Sequence, residues 1–239
     1  MFRKVIEKIF LKNIKNSDIE REQWVRSILE SLPKGNLLDC GAGECKYKDS
    51  CSHLNYVSQD FCQFDGNAIA GLDKNGKWNT SKIDIVSDIT NIPVEDQSFD
   101  YILCSEVLEH IKYPHLAIKE FSRIIKKNGT IILTAPFMSF THFAPYHYCS
   151  GFDKYWYEEV LKDFGFELKK IVASGNYFDL LSQDLLRGIT VADKYSKRFN
   201  IIQNFILALM IRILNGKSKN DFGSSEFGCF HYFVIAEKM

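Results

Sequence analysis

The sequence predicts an α/β domain built on a parallel sheet with helices on both faces. Three observations lead there. Short apolar runs alternate with helical patterns along most of the 239 residues, joined by short connections, as in a sheet whose crossovers are helices. One such run, Leu37-Leu38-Asp39-Cys40, passes directly into Gly41-Ala42-Gly43-Glu44-Cys45. This is a buried strand that ends in an acidic residue and turns through two glycines, with a helix expected beyond them. The length also suits one domain able to bury roughly 70% of its unfolded-chain surface without staples.

The elements follow in order. The first thirty residues carry two helical patterns split near Asn16-Ser17-Asp18. Ser17 or Asp18 is the expected N-cap of the second, which runs to about Leu32 before Pro33-Lys34-Gly35. Strands are expected at Asn36 to Cys40, Tyr56 to Ser58, Ile83 to Val86 and Tyr101 to Cys104. A helix from about Tyr113 to Lys126, stopped by Asn128-Gly129, precedes a fifth strand at Thr130 to Thr134. A polar-aromatic loop then reaches about Phe152, and a helix from Lys154 to Phe164 is capped by Gly165. Phe166 to Ala173 is the sixth strand. Two further helical patterns occupy Asn176 to Ser225, and Cys229 to Ala236 forms the closing strand.

Composition excludes several classes. Lysine plus arginine equals aspartate plus glutamate, 30 of each, so no global charge draws the chain to nucleic acid, and no nucleic-acid partner is expected. Seven cysteines, an odd number with no C-x-x-C spacing, fit reduced thiols in a cytoplasmic protein better than disulfides or a zinc site. Met1-Phe2-Arg3-Lys4-Val5 opens no secretory signal. The most apolar window, Ile201 to Leu214, contains Gln203, Asn204 and Arg212 and is shorter than the about 20 residues a membrane span needs.

The chemistry-bearing residues lie at expected strand ends, where ligands of such sheets bind. Gly41-x-Gly43 lacks the third glycine of a dinucleotide fingerprint. Asp60 follows the second strand, where a carboxylate accepts from ribose hydroxyls or else caps a turn. Ser87-Asp88-Ile89 follows the third strand. There an acid can accept from an adenine amino group beside a stacking apolar residue, or Asp88 caps the turn before Pro93.

Leu38-Asp39-x-Gly41-x-Gly43, Asp60, Asp88, the run from Ser98 to His110 and the run from Arg123 to Thr130 together resemble the class I S-adenosylmethionine-dependent methyltransferases. Glu95 to Asp100 looks like their small-molecule branch. The resemblance extends from about Leu37 to Phe166. It implies a Rossmann-like fold with a seven-stranded, mostly parallel sheet and helices on both faces. As a single domain, residues 1–32 would be an N-terminal helical cover, 33–175 the cofactor-binding core, 176–225 a helical insertion and 226–239 the final strand. The resemblance also implies S-adenosyl-L-methionine as cofactor. Gly41 and Gly43 would lie at the methionine moiety, Asp60 on the ribose, Asp88 and Ile89 at the adenine, and Ser105 or Glu106 closing the methionine side, with Asp39 and Ala42 also among the expected cofactor-binding residues. The sulfonium is a strong electrophile, so the protein mainly aligns a nucleophile and removes its proton.

Glu106-x-x-Glu109-His110 admits two readings. With His142 or His147 it could hold a divalent metal, as in the branch that methylates RNA 3′ ends. Otherwise Glu106 contacts cofactor, Glu109 faces solvent and His110 packs or caps locally; this second reading, with no metal, is adopted. The segment from Thr134 to Tyr148 follows the fifth strand and should overhang the methyl group. His147, His142 and His110 are the candidate catalytic residues, since an unperturbed imidazole titrates near neutrality; surface histidines with structural hydrogen bonds are the alternative.

Ser150 to Tyr157, then Gly165-Phe166, resembles methyltransferases of bacterial surface-glycan synthesis. The expected activity is O-methylation of a sugar, glycan or related small metabolite. The alternatives are a metal-assisted RNA 3′-end or quinone-type methyltransferase, a non-catalytic cofactor-binding scaffold and, weakest, a nicotinamide oxidoreductase.

Val5, Ile6, Ile9 and Phe10 share a helical face beside Lys4, Lys8, Lys12 and Lys15, and basic residues flank Ile201 to Leu214. Residues 1–15 and 198–219 are therefore candidates for peripheral contact with the inner face of a membrane. Packing on the sheet or a homodimer contact accounts for the same residues and is the ordinary explanation.

Overall fold

The computed structural model describes residues 15–71, 76 and 78–239. The first helical pattern falls on residues 1–14 and, with Val5 to Phe10, lies outside them. The elements are α1 (Ser17–Ser31), β1 (Asn36–Cys40), β2 (Asn55–Asp60), β3 (Ile85–Val86), β4 (Phe99–Ser105), α2 (Pro114–Ile124), β5 (Ile125–Pro136), α3 (Lys154–Asp163), β6 (Phe166–Ser174), α4 (Tyr177–Tyr195), α5 (Ile201–Lys219) and β7 (His231–Lys238).

One sheet of seven strands runs β3-β2-β1-β4-β5-β7-β6. β1 pairs in parallel with β2 and β4, β4 with β5, and β2 with β3. β7 is antiparallel to β5. The strand expected at 166–173 and the closing strand are both present. β1 is buried along nearly its whole length, as a central parallel strand covered on both faces must be. Register sets the carboxyl edge: Cys40 pairs with Gln59 and with Cys104. Gly41, Asp60 and Ser105 therefore follow at one level.

The protein divides into two compact units. One contains Arg21–Val172 and His231–Met239, and so the sheet and the candidate site. Its core gathers Val25 and Leu29 of α1 with Leu37, Leu103, Ile132, Tyr47, Cys51 and Leu54. The other unit takes the described residues up to Glu20 with Ala173–Phe230. Within it, Asn176 and Asn200 each close a capping box on α4 and α5. The buried Asp179 accepts from Ser218 Oγ at 2.6 Å and Lys15 Nζ at 3.0 Å. α5 buries Ala208, Ile211 and Leu214 and leaves Ile201, Ile202, Phe205, Ile206, Leu209, Met210 and Ile213 exposed.

Three local expectations are corrected. The N-cap of α1 is Asn16, whose Oδ1 accepts from the N–H groups of Asp18 and Ile19. α2 stops at Ile124 because the buried Ile125 pairs with Phe99 and begins β5; the ladder then skips to Tyr101–Thr130 around Asn128, at φ 62°. No α-helix follows the glycine loop. Cys45 takes a left-handed conformation, φ 57°, and the chain passes through turns into a short 3-10 helix, Lys48–Cys51. A helix dipole therefore contributes nothing at this loop. All seven cysteines are free thiols, and no helix among the described residues is long and apolar enough to cross a membrane.

Leu103 ties three strands and α1 into one packed layer, so Leu103→Ala should lower unfolding free energy by about 2–5 kcal/mol. Urea denaturation measures this; a loss below about 1 kcal/mol would show that the layer is not packed as described.

Candidate active site

The glycine loop leaves β1 with Gly41 at φ 69° and Gly43 at φ 55°. A Cβ at Gly41 would stand 2.4 Å from Val107 Cγ2, and one at Gly43 2.8 Å from Trp78 Cζ2. Only glycine meets both the backbone and the space demands. Gln59 and Asp60 hold the loop: Ala42 N–H donates to the Gln59 carbonyl at 2.9 Å and Gly43 N–H to Asp60 Oδ2 at 3.0 Å. Asp60 Oδ1 accepts from Cys62 N–H at 2.8 Å. Asp39 points from β1 to Tyr56, whose hydroxyl donates to it at 2.6 Å. Burial pushes the Asp39 carboxyl up to about 7 against that hydrogen bond, and the nearby Asp60 charge adds to the rise.

The remaining predicted cofactor residues lie beyond β3 and β4. Asp88 is exposed and accepts from both the N–H and the hydroxyl of Thr90, a local turn of the kind weighed above. Ile89 is buried. Ser105 Oγ is 2.9 Å from Thr134 Oγ1 and 3.4 Å from the Tyr47 hydroxyl.

Glu106, at φ 56°, is enclosed by partners that sequence reasoning missed. Arg21 of α1 reaches its Oε2 at 3.1 Å and His231 of β7 at 3.2 Å, while Thr134 of β5 donates to Oε1 at 3.0 Å. Burial alone would raise its pKa, yet the His231 and Arg21 charges hold it well below the carboxylate range.

Glu109 does not face solvent. It is 1% exposed, and burial, reinforced by the Glu106 charge, pushes its carboxyl well above the usual range. Glu109 Oε1 is 3.7 Å from His110 Nε2 and 3.9 Å from His142 Nε2.

The three candidate catalytic histidines come together: His110 and His142 have ring centroids 4.7 Å apart, His142 and His147 5.0 Å, His110 and His147 6.1 Å. Burial lowers the His110 pKa to about 4, with the neighbouring His142 and His147 acting in the same direction against a hydrogen bond to Tyr146. His147 Nε2 lies 3.1 Å from Ser139 Oγ. Phe143 joins this cluster to a second group of rings. It lies 4.9 Å from His110, stacks on Phe64 at 3.7 Å and meets Trp78 edge-on at 5.5 Å. Trp78, Gln59, Arg21 and His231 carried no local sequence signal; only the folded register brings them here.

Residues 38–133 match the family model described as a methyltransferase domain. The demethylmenaquinone methyltransferase of Renibacterium salmoninarum is 27% identical over 139 residues, 56% of this chain and 56% of that protein. "Probable tRNA methyltransferase 9B" of Bos taurus is 28% identical over 123 residues, 49% of this chain and 25% of that protein. The chain spans from a quarter to just over half the length of the curated relatives it matches. Among solved structures, an S-adenosylmethionine-dependent methyltransferase from Archaeoglobus fulgidus shares the fold with a TM-score of 0.54 at 16% identity, over 98% of each chain. Residues 38–133 thus match a methyltransferase domain, on the fold of the S-adenosylmethionine-dependent methyltransferases, and S-adenosylmethionine is the cofactor that such a domain implies.

Asp39 sets a pH dependence. Its folded pKa of about 7 lies above the about 3.9 of an unfolded aspartate, so the folded state binds more protons between those values. Stability therefore falls as pH rises from about 4 to about 7, by about 2–4 kcal/mol from this group. Asp39→Asn keeps an acceptor for Tyr56 and should remove that part of the slope. Urea midpoints at pH of about 5 and about 8 check this; equal slopes for both proteins would show that Asp39 is ionised throughout.

Proposed function

We propose that this protein transfers a methyl group from S-adenosylmethionine to a hydroxyl oxygen of a sugar or glycan. The observation that supports this most is the convergence of His110, His142 and His147 on loops that follow the strands beside the glycine loop.

The donor set fits the cofactor. The carboxylates of Asp39 and Asp60 offer acceptors for an ammonium group and ribose hydroxyls beyond the bonds they already accept, and two glycines leave the loop bare. Gly41, Ala42 and Gly43 are assigned to the methionine moiety, Asp60 to the ribose, Asp88 and Ile89 to the adenine, and Ser105 and Glu106 to the far side of the methionine. When bound, the cofactor supplies an electrophilic methyl on its sulfonium. The chain's part is to hold a hydroxyl in line with that methyl and take its proton.

His147 is assigned as the base. Its partner at Nε2 is the Ser139 hydroxyl, which can donate or accept. The rings of Phe64, Trp78 and Phe143 give the apolar faces against which a sugar ring packs. Zero net charge offers no overall attraction to an RNA backbone. His147→Ala should leave S-adenosylhomocysteine affinity intact and lower turnover with a glycan acceptor at least about tenfold. Unchanged turnover would remove His147 from the mechanism.

A second assignment concerns where the acceptor is met. We propose that α5 rests on an anionic membrane surface, where a lipid-linked acceptor is held. Its seven exposed apolar side chains lie on one helical face, α5 contains no acidic residue, Lys194, Lys197 and Arg198 precede it, and Lys217 and Lys219 lie in its last turn. Two α5 faces packed together would oppose like charges, whereas anionic headgroups complement them. Cosedimentation with phosphatidylglycerol vesicles at low salt should be strong and should fall sharply for Phe205→Asp with Leu209→Asp. Absence of binding by the unsubstituted protein would reject the membrane contact.

A further inference from the structure

We infer that Glu109, His110 and His142 form a site for one divalent transition-metal ion of the zinc, cobalt or manganese class. Each offers one ligand atom, and the three atoms all lie within 4.8 Å of one another. Glu109 and His110 come from the short 3-10 turn Leu108–His110 beyond β4, and His142 from the loop beyond β5. The distances from Glu109 Oε1, 3.7 Å to His110 Nε2 and 3.9 Å to His142 Nε2, are too long for hydrogen bonds. They approach the separation of two donors that share an ion at about 2.0–2.2 Å each.

Backbone carbonyls fix which ring nitrogens face the site. His110 Nδ1 lies 2.5 Å from the Tyr146 carbonyl, and His142 Nδ1 2.9 Å from the Phe140 carbonyl. A carbonyl only accepts, so each Nδ1 carries the hydrogen. In the neutral rings each Nε2 then turns a lone pair toward Glu109, as metal-ligating histidines do when an outer carbonyl orients them. Glu109 completes the picture. It is 1% exposed, and its Oε2 has no hydrogen-bond partner among the described residues. Leaving a buried carboxylate oxygen unsatisfied is costly. Three acceptors converging on one point call for a cation.

The donor set selects the ion. Two imidazoles and one carboxylate suit zinc, cobalt or manganese, whereas calcium and magnesium prefer all-oxygen sites. Three protein ligands also leave positions open for water or a hydroxyl oxygen. None of the three is assigned to the cofactor, so metal binding is measurable apart from methyl transfer.

The test uses the full chain stripped of metal by chelator, titrated with Co²⁺ and followed by visible absorption, with equilibrium dialysis for stoichiometry. One Co²⁺ per chain is expected, with ligand-field bands of nitrogen and oxygen coordination and no thiolate charge-transfer band from the seven cysteines. Glu109→Gln and His142→Ala should each weaken binding at least about tenfold. Circular dichroism of the metal-free variants checks that they are folded. His142 lies on a half-exposed loop, so its variant remains informative if Glu109→Gln fails to fold. Failure to bind Co²⁺ at one per chain, a thiolate band, or His142→Ala binding as tightly as the unsubstituted protein would each overturn the site.

Discussion

Burial of carboxylates along the carboxyl edge of the sheet is the constraint on which the rest of this site depends. Asp39, Asp60 and Glu109 are buried, and Glu106 is largely so. A carboxylate taken out of water is tolerated only with partners, and finding those partners dictates the local architecture. Asp60 binds two backbone N–H groups and in doing so fixes the glycine loop. Glu106 draws in Arg21, Thr134 and His231, so helix α1 and strands β5 and β7 are all secured to the end of β4. Asp39 takes the Tyr56 hydroxyl and stays partly uncompensated, which is why its pKa rises to about 7. Glu109 alone among the four keeps a fully buried oxygen with no hydrogen-bond partner in the described residues.

Much of this was legible in the sequence, and the reasons differ between elements. Leu37 to Cys40 reads as a strand because a parallel strand covered on both faces needs a continuous apolar run. The three histidines could be gathered in advance because β4 and β5 are parallel neighbours, so the loops that leave them emerge side by side. The missing helix after Gly43 was not legible. Cys45, Tyr47 and Cys51 are buried, and the chain folds down onto the core there instead of rising as a helix; an isolated cysteine gives no sign of its left-handed backbone. Arg21 and His231 were equally silent, since they sit at opposite ends of the sequence and meet only through Glu106.

Glu106 and Glu109 show how backbone conformation overrides spacing. Three residues apart, they would share a face on an α-helix, and both would look toward one ligand. The positive φ at Glu106 and the short 3-10 turn after it separate them instead. Glu106 turns to Arg21 and His231, and its carboxyl is held low. Glu109 turns toward the histidines, and its carboxyl is held high. The charge retained on the first is one of the causes that raises the second. Two identical side chains thus acquire opposite protonation behaviour from partners alone.

The same principle divides the histidines. His110 and His142 are each anchored at Nδ1 by a backbone carbonyl, which accepts and never donates, so one tautomer is imposed and both Nε2 lone pairs are committed toward Glu109. His147 meets a serine hydroxyl at Nε2, a group that donates or accepts with equal ease. A ring with an imposed tautomer suits a fixed ligand role, since a ligand must keep its lone pair aimed at one point. A ring whose partner can reverse the direction of its hydrogen bond suits proton transfer, because taking up and releasing a proton requires that reversal. Carbonyl and hydroxyl partners on one loop therefore suit three histidines whose side chains are chemically the same to different work.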